Sequence, residues 1–388
     1  MTVQQNTDHI QTTHIGSLPR PHNLLDLLKA KYAGQSYDER QLSSVLAQAV
    51  ADCVRKQVES GIEIVTDGEY SKPGFFTYIR ERFDGFESRP NQKLVIFQKE
   101  VSAFPEYYAQ YFKEAMMGGA ILPIVPVVCT EPVKYKGEAK LQIDIANLKA
   151  AAKAVGVPDH HVFLPATAPS GVGVNEYYKT DEEYFHALAA ELNKEYRAID
   201  AAGILLQVDD PFLPDIFVEP GLDDKQMRRR AEIYVEATNA ALQGIPAERV
   251  RFHTCYGINE GPRLYEANLP QIIEYVLKIN AGSFSFEAAN PRHEHEYHLF
   301  ERVKVPDGKV LCPGVITHAS NIVEHPELIA ERLIRYANLV GRENVIAGAD
   351  CGFSSQALYK TEVHSTVVWE KFKAMREGAK IATEKLWG

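Results

Sequence analysis

VRFHTCYG, residues 250–257, is a short apolar run that breaks off into a histidine, a cysteine and a turn. Apolar runs of roughly four to eight residues, ended by polar or turn residues, are the pattern of buried strands. If the strand persists past its last apolar residue, His253 and Cys255 leave the backbone on the same side, because side chains alternate along a strand. Two residues so placed can chelate one ion.

The same ending recurs on both sides of this run. Upstream lie a segment near 12–16, IEIV (62–65), VFLP (162–165) and ILLQV (204–208); downstream lie SFSFE (283–287), VLCPGVI (310–316) and VIAGA (345–349). Most are separated by charged, amphipathic stretches of helical length, such as DEEYFHALAAELNKEYRAIDAAG (181–203). Eight alternations predict an α/β fold, a (β/α)8 TIM barrel. A doubly wound open sheet would alternate in the same way, so the polar residues decide. Glu287 ends one run, His318 follows the next, and Asp350-Cys351 follow the last. In a barrel all these strand ends open on one face, where active sites are built.

The rest of the chain sets bounds. Its 388 residues predict one domain spanning 1–388, since barrels exceed about 200 residues as a unit. With 45% hydrophobic and 24% charged residues, it has the composition of an ordinary globular protein. A formal charge of −10 argues against nucleic acid, whose binders present basic faces, and in favour of a small-molecule substrate. No apolar run reaches the length of about 18 residues that a membrane span needs, and the N-terminus lacks a basic start and an apolar core, so the expected location is cytoplasmic. Five cysteines do not form a disulfide framework; Cys53, Cys129 and Cys312 read as core thiols. The segment at about 88–130 breaks the rhythm. LVIFQKE (94–100) and ILPIVPVV (121–128) are β-like, with a helix-like AFPEYYAQYFKEAMM (103–117) between them, which predicts a β-hairpin and helical excursion near the barrel mouth. Nothing in the sequence fixes an oligomeric state.

His253, Cys255, Glu287 and Cys351 make an N, S, O, S donor set, soft enough to select zinc among the abundant divalent metals. A substrate thiol with a pKa of roughly 8 to 9 is mostly protonated at neutral pH, and coordination to zinc deprotonates it. Two anionic protein thiolates would keep the metal electron-rich, and a glutamate that can loosen would let the substrate sulfur in. The denser cluster His293, His295 and His298 in NPRHEHEYH (290–298) is interleaved with Glu and Arg and lacks a nearby cysteine, so it reads as a solvated loop.

Seven stretches in order, THIGSLPRP (13–21), VTDGE (65–69), QVDDP (207–211), HTCYG (253–257), FSFEAAN (284–290), PGVITHASN (313–321) and GADCG (348–352), resemble the cobalamin-independent methionine synthase family. The likeness is to its short members, which correspond to the C-terminal catalytic barrel of the two-barrel enzymes. The resemblance implies that His253, Cys255, Glu287 and Cys351 bind zinc and that homocysteine sulfur replaces a labile ligand. It assigns Ile15, Gly16 and Ser17, with Glu69 and Asp209, to the amino-acid end of homocysteine, and His318 to proton delivery to the leaving nitrogen of the methyl donor. No second barrel precedes the first motif, and TAPSGVGVNEYY (167–178) offers Tyr177 and Tyr178 where long members stack the pterin on Trp. Methyltetrahydrofolate and a methylcorrinoid therefore both stand as donors. Two alternatives share the zinc: an epoxide-opening alkyltransferase that uses coenzyme M, with Arg20, Lys72 and Arg292 as sulfonate partners, and a noncatalytic protein with a closed zinc site.

Overall fold

The computed structural model describes residues 5–92, 96–114, 119–257 and 260–388. Six strands, Phe163–Thr167, Leu205–Asp209, Val250–His253, Ser283–Phe286, Val310–Ile316 and Gly348–Ala349, pair in that order and all in parallel. Single parallel bridges complete the ring: Val65 with Val162, Ile64 with Thr13, and Thr12 with Ala347. All eight apolar runs of the sequence are thus staves of one barrel. The six strands are buried along their whole length, as parallel strands covered on both faces must be.

The helices between the staves show why these residues are helical. In Asp181–Ala201, Tyr184, Phe185, Leu188, Leu192, Tyr196 and Ile199 recur at three- and four-residue spacing and form the buried face. Thr180 caps its first turn by accepting from the Glu183 amide. Asp223 and Gln226 form a reciprocal capping box at the start of Asp224–Ala241.

The barrel interior is not all apolar. Ile64, Phe163, Leu205, Val310, Cys312 and Ile346 form one buried cluster. Arg251 lies against the Phe163 ring at 4.0 Å and donates to Gln207 Oε1 (2.6 Å), Thr13 Oγ1 (2.8 Å) and the His14 carbonyl (2.9 Å). A buried guanidinium is tolerated because its donors are met. These bonds tie three staves together beneath the site.

The excursion differs from its predicted outline. Phe83–Ser88 pairs antiparallel with Val127–Tyr135, which in turn pairs parallel with Val174–Asn175. Of LVIFQKE, Leu94 and Val95 lie outside the described residues, and the last three residues open the helix Gln98–Ala103, after Phe97 in a left-handed conformation. ILPIVPVV contributes only Val127 and Val128 to a strand. Pro123 and Pro126, which lack the N–H a sheet ladder needs, account for the late start. The helix-like stretch is helical over Pro105–Glu114; residues 93–95 and 115–118 lie outside the described residues. Among the described residues no helix is long and apolar enough to cross a membrane.

Candidate metal centre and substrate pocket

His253 ends the Val250–His253 strand, Cys255 follows two residues later, and Cys351 stands just beyond Gly348–Ala349. Donor atoms of these three residues lie within 4.8 Å of one another, and all three residues are buried. The backbone between the first two is fixed on both sides. The Thr254 amide donates to the Ser285 carbonyl (3.0 Å), the Thr254 hydroxyl to the Asp210 carbonyl (2.8 Å), and the Asp210 amide to the His253 carbonyl (2.8 Å).

The donors are poised for a cation. The Cys255 and Cys351 sulfurs stand 3.2 Å apart, and neither ring nitrogen of His253 has a hydrogen-bond partner. Buried polar groups are normally satisfied, so two orphaned imidazole nitrogens beside two thiols ask for a ligand. Burial, with the nearby Arg251 charge, lowers His253 to about 3, which keeps its lone pair free. The Cys351 thiol, with burial, holds the Cys255 thiol well above the ordinary cysteine range. A soft divalent ion bound between them would reverse that balance.

Glu287 sits beside this trio but faces elsewhere. Its carboxylate pairs with Arg263 at 2.9 and 3.1 Å and accepts from the Tyr256 amide (3.2 Å) and Asn290 Nδ2 (3.1 Å). Burial opposes its ionisation, but the Arg263 charge prevails and holds it down to about 2. Donor atoms of Glu287, His318 and Asp350 form a second group within 4.8 Å. Both ring nitrogens of His318 and the Asp350 Oδ2 lack partners, while Asp350 Oδ1 accepts from the Ala288 and Ala289 amides at 2.8 Å. Burial lowers His318 to about 4.

A pocket opens onto His253, Cys255 and Cys351, and Ile15, Ser17, Glu69 and Asp209 form part of its wall. Glu69 has a positive φ of 59° and pairs with Lys72 at 2.9 Å; Lys72 also donates to the Pro165 carbonyl (2.7 Å). Asp209 accepts from Gln207 Nε2 (2.7 Å), and burial together with the Glu69 charge raises its carboxyl well above the usual range. Lys72 pairs with Glu69 and leaves Asp209 without a cationic partner among the described residues, so an incoming cation would relieve Asp209. Gly16 stands differently. Its amide donates to His14 Nδ1 (3.2 Å), its φ is +135°, and a Cβ would come 2.6 Å from the Pro165 side chain. It shapes the backbone turn between Ile15 and Ser17 rather than lining the pocket.

Several contributors escaped the sequence. Arg263 has a φ of +56° and is buried between Glu266 and Glu287 with no motif around it. Arg20 belongs to a quoted stretch, yet its role is internal: it donates to the carbonyls of Ser354, Glu69 and Lys72 at 3.0, 2.7 and 2.9 Å and ties two mouth loops together. The histidine cluster needs correction. His293 is buried, not solvated, held by Glu266 (3.0 Å) and Glu296 (2.9 Å) and stacked on Tyr256. His295 and His298 are exposed. Glu296 from that stretch, with Glu266 from an earlier segment, makes the burial possible.

Residues 169–380 match the family model for the catalytic domain of cobalamin-independent synthases. A methionine synthase of Saccharolobus islandicus is 25% identical over 384 residues, covering 97% of this chain and 96% of that protein. Another, from Thermococcus kodakarensis, is 24% identical and covers 97% and 94%. The solved B12-independent methionine synthase of Shewanella sp. W3-18-1, in complex with selenomethionine, has the same fold, with a TM-score of 0.72 at 20% identity over 97% of this chain and 99% of that one. On this match, and on seven motifs whose ends meet at one barrel mouth, the chain belongs to the cobalamin-independent methionine synthase family.

Proposed function

We propose that this protein transfers a methyl group to the sulfur of homocysteine, giving methionine, at a zinc ion held by His253, Cys255, Cys351 and Glu287. The observation that carries this reading is the composition of one pocket: two thiols and an unpartnered imidazole at one end, two buried carboxylates at the other. A small amino acid with a thiol at one end and an ammonium at the other matches both. Bound zinc would supply a thiolate at neutral pH, which a free thiol provides only in small part.

The chain's own groups do the rest. Asp209 and Glu69 take the substrate ammonium, and the Ser17 hydroxyl, 3.3 Å from Ser355 Oγ, with the backbone at Ile15, faces its carboxylate. Gln207 holds this wall from behind, donating to both the Ile15 carbonyl and Asp209. The substrate sulfur attacks the methyl carbon in line, and the donor's leaving atom keeps the bonding electron pair. When that atom is a folate nitrogen it must gain a proton, and we assign that delivery to His318, whose two ring nitrogens have no partner. A methylcorrinoid would leave without one.

Coenzyme M fits less well. Of the cations that could greet a sulfonate, Arg20 is spent on carbonyls, Lys72 on Glu69 and Pro165, and Arg292 is exposed. A closed structural zinc site fits poorly with a pocket that opens onto three of the donors. We assign the activity to the cytoplasm and to residues 1–388 acting as one unit. Zinc-loaded protein should methylate homocysteine from methyltetrahydrofolate or methylcobalamin and leave coenzyme M unmodified. Turnover of coenzyme M but not homocysteine would refute the assignment.

A further inference from the structure

Glu287 presents a problem of charge. It is buried and meets a guanidinium with both oxygens, and a carboxylate that leaves a metal inside a protein must be received by something, because an unpaired buried charge is strongly destabilising. Arg263 is built to receive it. Its guanidinium meets Glu287 with two nitrogens, at 2.9 and 3.1 Å, while its Nε is held from behind by Glu266. Glu266 is itself fixed by His293 (3.0 Å), which Glu296 holds (2.9 Å) and Tyr256 stacks against. The fork therefore cannot swing away. Its backbone is also kept at a φ of +56°, a conformation that a residue with a side chain adopts only where its surroundings enforce it.

We propose that Arg263 is a positioning residue that competes with the metal for the Glu287 carboxylate and offers it a prepared berth when the substrate thiol enters. This rests on the zinc-thiol function proposed above. The exchange balances: one anion, the substrate thiolate, enters the metal's surroundings as another, the carboxylate, moves to Arg263. The proton of the substrate thiol goes to solvent, and no bond to carbon changes. The negative charge directly on the metal is the same after exchange as before it, and the buried site as a whole takes up the single charge of the thiolate, with the displaced carboxylate paired to Arg263.

The sign of one measurement separates this role from simple support. If Arg263 competes for Glu287, then Arg263→Gln should hold zinc at least about tenfold more tightly in a chelator competition without homocysteine, since nothing would draw the carboxylate away. In the same variant, X-ray absorption should keep its oxygen neighbour when homocysteine is added. Arg263→Lys, with a point charge in place of a fork, should tighten zinc in the same direction by a smaller factor, and it serves where Arg263→Gln fails to fold. In a Glu287→Gln background the effect of Arg263→Gln on zinc should vanish. A folded Arg263→Gln or Arg263→Lys protein that holds zinc more loosely than wild type would overturn the proposal, because Arg263 would then be aiming Glu287 at the metal. Wild-type protein that binds no zinc would instead remove the function beneath it.

Discussion

At the scale of single residues the proposed function divides the site into groups that would hold the acceptor and a group that would serve the donor. Asp209→Asn removes one of the two charges facing the substrate ammonium. It should raise KM for homocysteine about tenfold or more, the value of a charge-assisted hydrogen bond, and leave zinc content unchanged. His318→Asn should lower turnover with methyltetrahydrofolate by about a hundredfold, yet cost far less with methylcobalamin, whose leaving group takes no proton. Equal losses with both donors would remove the proton-transfer role. His293 carries a pH dependence. Burial would lower it, but Glu266 and Glu296 carry it up to about 9 from an ordinary value of 6.5. A raised folded-state pKa means stability present in full below pH 6.5 and lost as pH rises through 9, roughly 3 kcal/mol in all. Denaturant titrations of wild type and His293→Gln should therefore differ most at pH 6 and converge near pH 10. The residues proposed as ligands were legible in the sequence because each lies at or just beyond a strand end. Arg263 was not, since its importance lies in the two acids that surround it, Glu266 and Glu287, which come from separate segments.

At the scale of elements, the staves could be read, and so could the helix of the excursion, but not its strands. A stave buried on both faces writes its burial into consecutive apolar residues, so VRFH, ILLQV and VLCPGVI announce themselves. The strands Phe83–Ser88 and Val127–Tyr135 mix exposed and buried positions irregularly, and the register slips between Asp84 and Phe86. Neither periodicity nor apolar runs mark such a pair. The close packing of the last two staves carries a test. A Cβ on Gly314 would stand 2.6 Å from Asp350 Cα and 2.7 Å from its amide nitrogen, where no side chain can yield. Gly314→Ala should therefore destabilise the protein by about 3 kcal/mol and, by displacing Asp350-Cys351, weaken zinc binding as well. Normal stability with normal zinc content would show that the two staves have room to part.

At the scale of the whole molecule, the barrel converts sequence order into proximity. His253 and Cys351 are separated by 97 residues along the chain, yet their donor atoms lie within 4.8 Å. The barrel's apolar burial and the Arg251 network below the site do not depend on the metal. Removing zinc should accordingly abolish methyl transfer while leaving the far-ultraviolet circular dichroism unchanged. A chain that unfolds on chelation would be a zinc-stapled structure instead. The most direct test of the central claim is zinc X-ray absorption on the purified protein with and without homocysteine. The expected result is a zinc with two sulfur neighbours that gains a third, and loses an oxygen, when homocysteine is added. Zinc whose neighbours do not change, or purified protein that carries and accepts no zinc, would contradict it.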